Sequence, residues 1–360
     1  MTGIEIRPTI VEESGSPVDT IIPFGWYQMC WSYELAVGEV KPFRYFGIDL
    51  VAYRGASGEV HVLDAYCPHL GAHLGYGATV SRERLVCPFH GWEWSPSGHN
   101  VAVPYASPVS KKRVRPWRVE EVDGIVLIWY HPEGVEPKFR IPPFWVDRDC
   151  PYLPINAQST KFWPGVTFPP QYASENLVDY AHFKFVHRAH DVAAVDSVEA
   201  DGYVFRTVLK LEMGAGRETT WMTPRGPAPA RLFTEVFGPQ TSVVRFKIAD
   251  HAIHDSVVAM GVTPIEATPE RSNLWITVYV PETDPMGLDR DPGTLAKHWY
   301  AQEFAQVDQD VVIWSHMRYI PKAPLRAEES RPFRTMRMWA RQFYLLPAEP
   351  AARTTDERVN

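Results

Sequence analysis

Cysteine is scarce in this chain: four in 360 residues, at Cys30, Cys67, Cys87 and Cys150, which is poor material for a disulfide scaffold. Long apolar runs are missing as well. No stretch approaches the roughly 18 uninterrupted apolar residues needed to span a bilayer, and the opening MTGIEIRPTIVEESG carries acids early and has no apolar core of signal-peptide length. A cytoplasmic protein without a transmembrane segment is expected. An excess of base is absent too. The 43 Asp and Glu outnumber the 36 Lys and Arg, giving a net charge of −7, so nothing favours nucleic acid or an anionic membrane as a partner. The longest basic cluster, KKRVRPWR from Lys111 to Arg118, is local and reads as a solvated or partner-facing surface. Also missing are an internal repeat, a dinucleotide-binding glycine fingerprint, a phosphate loop and a lipase-type nucleophile elbow.

What is present is a chain that is 45% hydrophobic, with 33 prolines for elaborate loops and 13 tryptophans for large apolar surfaces or pockets. Its length suits two domains or one large one. From Trp26 to Tyr130, segments such as FGIDLVAYRG, EVHVLDAY, ERLVCPF and VDGIVLIWY are rich in Val, Ile, Leu and aromatics and broken by Gly, Ser, Asp and Pro, which predicts a small antiparallel domain. The proline-rich HPEGVEPKFRIPPFW, from His131 to Trp145, reads as a connector. Beyond it, ENLVDYAHFKFVHRAH, from Glu175 to His190, carries Leu177, Ala181 and Phe185 at helical spacing, with Ser174 placed to cap the first turn. YVFRTVLKLEM, RLFTEVF, SVVRFKIAD and NLWITVYV predict a larger antiparallel sheet, and Thr294 to Met317 a late helix.

Two half-motifs carry the first chemistry. In CPHLGAHLGYG, Cys67 and His69 are separated by one residue; in CPFHGW, Cys87 and His90 are separated by two, with 17 residues between the halves. A strand-turn-strand can bring the two loop tips together into a Cys2His2 set. Zinc accepts such a set, but the first pair is too close for the usual finger spacing, and GWEWSPSG after the second is turn-rich rather than helical. A [2Fe-2S] cluster accepts it differently, with two thiolates on one iron and two imidazoles on the other. Gly71, Gly75, Gly91 and Gly98 suit tight wrapping, and Pro68 and Pro88 stiffen each loop.

These halves resemble those of the Rieske non-haem iron oxygenases. The resemblance implies that Cys67 and Cys87 bind one iron and His69 and His90 the other. It also implies that the cluster takes one electron at a time from a ferredoxin or reductase.

A Rieske domain alone could be an electron carrier, so the rest of the chain decides. DYAHFKFVH places His182 and His187 five residues apart, farther than a one-turn pair, so a distorted or ending helix is needed to converge them. Two imidazoles and one carboxylate form the facial triad of a non-haem iron oxygenase. The late segment DQDVVIWSHMRY offers Asp308 and Asp310, which do not point the same way on a regular helix. The resemblance continues here through a D-x2-H-x4-H pattern. It implies His182 and His187 as ligands of a mononuclear Fe(II), Asp179 as a bridge toward a cluster histidine of the neighbouring subunit, and Asp310, four residues before Trp314, as the third ligand. Asn176 resembles a polar residue near the family's Asp, one residue closer to it than in the ring-dihydroxylating branch. His190, His298 and His316 read as surface, second-rank or core-edge histidines.

The pattern covers roughly Trp26 to Tyr344. It is similar to the branch holding 3-ketosteroid 9α-hydroxylase oxygenases and cholesterol 7-desaturases. That implies an α+β fold: a small all-β Rieske [2Fe-2S] domain at 25–133, a helix-grip-like mononuclear iron domain at 134–350, and extensions at 1–24 and 351–360. It further implies dioxygen as co-substrate, a steroid-like apolar substrate, a separate NADH-dependent reductase and a homotrimer. Hydroxylation comes first and sterol desaturation second. KFWPGVTFPP and TTWMTP could line a sterol pocket or be core packing.

Overall fold

The computed structural model describes residues 16–144, 151–189, 191–213, 228–248, 255–282 and 294–345. After a short helix, α1 (Pro17–Thr20), the N-terminal part is built from ten strands: β1 (Gly25–Trp31), β2 (Val40–Tyr45), β3 (Ile48–Arg54), β4 (Val60–Asp64), β5 (Thr79–Ser81), β6 (Arg84–Val86), β7 (Glu93–Trp94), β8 (Asn100–Ala102), β9 (Val119–Val122) and β10 (Ile125–Tyr130). They form three antiparallel sheets in the orders β1-β10-β9, β2-β3-β4 and β5-β6-β7-β8. Apart from β1 with β10, these short strands bounded by turn residues pair with their neighbours in sequence, because hairpins close cheaply, as the sequence predicts.

The larger part holds β11 (Thr160–Val166), α2 (Pro170–Glu175), α3 (His182–Phe185), β12 (Ala194–Asp201), β13 (Val204–Met213), β14 (Ala228–Phe237), β15 (Thr241–Ile248), β16 (Val257–Pro264), β17 (Ser272–Tyr279), α4 (Thr294–Trp314) and α5 (Ala327–Ala340). Its strands make one seven-stranded antiparallel sheet in the order β11-β17-β16-β15-β14-β13-β12. Side chains alternate across a strand, so the sheet has two different faces. The inner face, with Leu209, Leu232, Phe246, Met260 and Ile276, packs with Phe183 of α3 and Trp299 and Val307 of α4. The outer face, with Val243, Val257 and Ala259, packs against Tyr27 and Met29 of β1 in a core shared by both parts. Fold class is thus α+β, a mostly β structure with a long helix against one face of the sheet.

Three polar contacts lock the outer face to β1: Thr241 Oγ1 donates to the Trp26 carbonyl at 3.0 Å, Thr263 Oγ1 to the Gln28 carbonyl at 2.6 Å, and Trp31 Nε1 to Thr277 Oγ1 at 2.7 Å. The proline-rich connector is not a free linker. Its Ile141 and Phe144 are buried, and its Phe139 carbonyl accepts from Trp26 Nε1 at 2.7 Å.

One expected element is replaced. The continuous helix over Glu175 to His190 is instead α2, a 3-10 turn at Asn176–Val178, a break at Asp179 and the four-residue α3. Ser174 does not cap it: it lies inside α2 and its hydroxyl donates to the Pro239 carbonyl at 2.6 Å. Phe185 is 76% exposed rather than on a buried stripe. The cause is Asp179, whose Oδ1 accepts from the backbone N–H groups of Ala181 at 3.1 Å and His182 at 3.2 Å. An aspartate that bonds its own downstream backbone starts a new helix rather than continuing the old one. TTWMTP, Cys150 and His190 lie outside the described residues.

Candidate metal centres

The break creates the first site. His182 opens α3 and His187 lies beyond its end, where Arg188 takes a left-handed conformation at φ 56° and turns the chain. The ending helix brings the two rings to 5.0 Å between centroids, nearly perpendicular at 79°. Asp310 reaches them from α4. One ligand atom from each of His182, His187 and Asp310 can be chosen so that all lie within 4.8 Å of one another, and all three residues are buried. His187 Nε2 is 3.4 Å from Asp310 Oδ1.

Each ring is held from behind. His182 Nδ1 donates to the Asp179 carbonyl, and His187 Nδ1 donates to Gln309 Oε1 at 3.1 Å, which leaves both Nε2 atoms turned inward. Asn176 Nδ2 lies 3.2 Å from His182 Nε2. Burial lowers the His182 pKa, only partly opposed by the Asp310 carboxylate, so the ring is kept in the neutral form a metal needs. Two turns before Asp310 on α4, burial pushes the Glu303 carboxyl up to about 8, with Asp310 adding repulsion. A cavity of about 310 Å³ lies beside the triad, bordered by Asn176, Asp179, His182, Asp310, Ile313 and Met317.

The other candidates fall elsewhere. Asp308 is exposed and binds Lys161 Nζ at 2.7 Å and Trp163 Nε1 at 2.8 Å, so it points away from the histidines. His298 pairs with Gln302 at 2.5 Å and His316 with the Val312 carbonyl at 2.7 Å, both outside the triad. Gln309 is a residue that sequence reasoning missed. Its only signal was adjacency to Asp310.

The second site sits at two matching loop tips. Gly71 N–H donates to the Cys67 carbonyl at 2.9 Å and Gly91 N–H to the Cys87 carbonyl at 3.0 Å, each glycine at positive φ (79° and 69°) where a side chain would be strained. Cys67 and Cys87 are buried and close enough that each thiol acts on the other. Burial first, and then Cys87, raise the Cys67 thiol to about 11, opposed by a backbone donation from His69. The rings of His69 and His90 lie 4.7 Å apart, and His69 stacks on Trp92 at 4.3 Å. His90 Nδ1 is buried without a hydrogen-bond partner among the described residues. An orphaned imidazole nitrogen beside two adjacent buried thiols fits a group that takes both sulfur and nitrogen. The triad, with hard oxygen and borderline nitrogen donors, fits a divalent first-row ion with open positions.

The Rieske [2Fe-2S] domain family matches residues 25–116, and the 3-Ketosteroid 9alpha-hydroxylase C-terminal domain family matches residues 128–344. The chain belongs to the Rieske non-haem iron oxygenases. It is an oxidoreductase with both a Rieske [2Fe-2S] domain and a His/His/Asp site for mononuclear iron. Among its relatives, the Bombyx mori protein "Cholesterol 7-desaturase nvd" is 30% identical over 355 residues, covering 92% of this oxygenase and 71% of the relative. The Rhodococcus rhodochrous "Probable 3-ketosteroid-9-alpha-monooxygenase, oxygenase component" is 28% identical over 328 residues, covering 89% and 79%. Among solved structures, dicamba monooxygenase bound to dicamba superimposes with a TM-score of 0.65 at 20% identity, covering 90% of this oxygenase and 98% of that chain. Pseudomonas putida CBB5 NdmA with caffeine superimposes with a TM-score of 0.66 at 18% identity, covering 88% and 89%. These two likenesses concern the fold. Among the described residues, no helix is long and apolar enough to cross a membrane.

Proposed function

We propose that the chain is the terminal oxygenase of a multicomponent monooxygenase, one that uses dioxygen and electrons from a separate NADH-dependent reductase or ferredoxin to hydroxylate a steroid-like substrate. Carbon 9 of a 3-ketosteroid is the first choice. The observation that carries the reading is the match of residues 128–344 to the 3-ketosteroid 9alpha-hydroxylase C-terminal domain over a preformed His/His/Asp triad. Sterol desaturation is the second reading, favoured by the cholesterol 7-desaturases among the relatives. A cytoplasmic location and domains at 25–133 and 134–350 complete the proposal.

In this reading Cys67, Cys87, His69 and His90 hold the cluster, and His182, His187 and Asp310 hold the mononuclear iron. Iron with three protein ligands supplies open positions for dioxygen, and the cluster supplies single electrons. The chain's own residues do the rest. The Asp179 carbonyl and Gln309 fix the two imidazole tautomers, so that Nε2 of each is the nitrogen carrying the lone pair a metal would take. In this reading the apolar inner face of the sheet keeps water from the side of the triad that it covers. In this reading Asp179, which borders the cavity and whose carbonyl holds His182 Nδ1, couples a neighbouring subunit's cluster to this iron, and Asn176 lines the same passage.

A homotrimer with heterologous contacts completes that passage. Two exposed apolar patches support it: Leu70 and Phe89, 65% and 60% exposed at the cluster loops, and Met317 and Ile320, 47% and 53% exposed on the cavity. The test is incubation of reduced enzyme with 3-ketosteroids, cholesterol and small aromatic acids under labelled dioxygen, followed by mass spectrometry. One labelled oxygen in a ketosteroid supports hydroxylation. Loss of two mass units without label selects desaturation, and turnover of small aromatics alone overturns the steroid assignment.

A further inference from the structure

The helix that supplies Asp310 buries an unusual stripe. Trp299, Glu303, Gln306 and Asp310, at spacings of four, three and four along α4, share one face and are each under a tenth exposed. That face packs on the apolar inner face of the sheet, where Leu232, Phe246, Val258 and Ile276 lie. A helix burying against such a surface is expected to present Leu or Met at these positions. Gln306 stands there instead, 3% exposed, and its Nε2 has no hydrogen-bond partner among the described residues. On the sheet, Thr207 is 1% exposed and its hydroxyl is likewise unpartnered, beside Thr234 across the β13–β14 pairing. Leaving a buried amide donor unpaired costs stability that an apolar side chain of the same size avoids.

We propose that Gln306 is a specificity-determining residue that donates its side-chain N–H to an oxygen of the substrate, a carbonyl or hydroxyl on an otherwise apolar skeleton. The inference rests on the oxygenase reading of the triad given above. Gln306 and Asp310 are four residues apart, about 6 Å along the helix axis. An anchored oxygen and an oxidised carbon separated by about that distance fit within one fused ring system. In a rigid substrate, fixing the oxygen also fixes which carbon faces the metal. The open cavity at Asn176 and Asp179 does not include Gln306.

The test uses full-length, metal-loaded enzyme with the substitution Gln306→Met and three probes: androst-4-ene-3,17-dione, androst-4-en-3-one and androst-4-en-17-one. Removing one neutral hydrogen bond raises the dissociation constant of the dione by about three- to tenfold. The monoketone that keeps the anchored oxygen weakens by the same factor, and the other does not change. KM for the dione rises in step and the product spreads over more than one carbon. The thermal midpoint of the variant is no lower than that of the parent, because an unpaired donor has been removed. A purely structural role predicts the reverse, a lowered midpoint and an unmoved affinity ratio between the two monoketones. An unmoved ratio with tight binding to the parent overturns this inference alone. Failure of the parent to bind any of the three probes overturns the steroid reading and the inference together.

Discussion

Gln309 and His187 face each other across two elements: the amide oxygen of Gln309 accepts the Nδ1 proton of His187 at 3.1 Å, while the next residue, Asp310, lies 3.4 Å from Nε2 of the same ring. One turn of α4 thus orients a histidine and supplies the carboxylate beside it. Removing such an acceptor typically weakens metal binding about 10- to 100-fold. Gln309→Leu is expected to lose iron to a chelator faster than the parent while its cluster absorption stays intact. Equal iron retention in the two proteins would show that the tautomer is set by another contact.

Asp310→Ala and His187→Ala are each expected to abolish turnover and leave the Rieske absorption unchanged, because the cluster loops belong to other strands. Asp308→Ala keeps turnover. Its carboxylate is exposed and bound to Lys161 and Trp163, so its removal costs at most about 1 kcal/mol. Loss of product with Asp308→Ala, or retained product with His187→Ala, would reverse the ligand assignment.

Cys87→Ala is expected to lose the cluster, seen as disappearance of inorganic sulfide and of the paramagnetic resonance signal of the reduced protein. Cys87 is one of two buried thiols beside the orphaned His90 Nδ1, and alanine removes a sulfur that the cluster needs. Stoichiometric zinc without sulfide in the parent would sink the cluster assignment.

The Arg337 guanidinium binds Glu175 through two contacts, 2.7 and 3.0 Å, and tethers the end of α2 to α5. Both side chains are largely buried, at 17% and 11% exposed. Arg337→Leu leaves the carboxylate without its partner and is expected to cost about 3 kcal/mol or more. The urea midpoint reads this directly. A shift too small to resolve would mean that water replaces the guanidinium.

Glu303 gives the metal-free protein a pH dependence whose sign is fixed by its raised pKa. From its ordinary 4.5 to about 8, the unfolded chain ionises while the folded chain keeps its proton, so stability falls as pH rises through that window and levels off above it. Glu303→Gln should flatten the curve of thermal midpoint against pH. An unchanged slope between pH 5 and 8 would place the titration in another group.

The ligands were legible because they cluster along the chain: C-x-H, C-x2-H and H-x4-H are local patterns that chemistry restricts tightly. Helix geometry sets Asp308 and Asp310 apart, since residues two apart on a helix point apart, and the choice of Asp310 between them rests on the family resemblance. The helix across Glu175 to His190 was misread because Leu177, Ala181 and Phe185 have the right spacing, and spacing does not register a side chain that captures backbone donors, as Asp179 does. The helix α5 went unseen because Pro332 and its many charges mask it. β16 ends in MGVTP, whose glycine and proline break the apolar run. KFWPGVTFPP splits between roles, with Phe168 in the core against Trp314 and Trp163 bonded to Asp308. Gln309 and Gln306 have no local signature, since a lone amide becomes informative only when its neighbours are known.

The seven-stranded sheet has β1 on one face and the helix bearing Asp310 on the other. A partition of at least one layer spacing, about 10 Å, therefore stands between β1 and Asp310. The sheet is a bulkhead: its outer side is fastened to β1 by hydroxyl contacts, its inner side presents carbon to the helix that carries the carboxylate, and a change at β1 reaches that carboxylate by way of the strands between them.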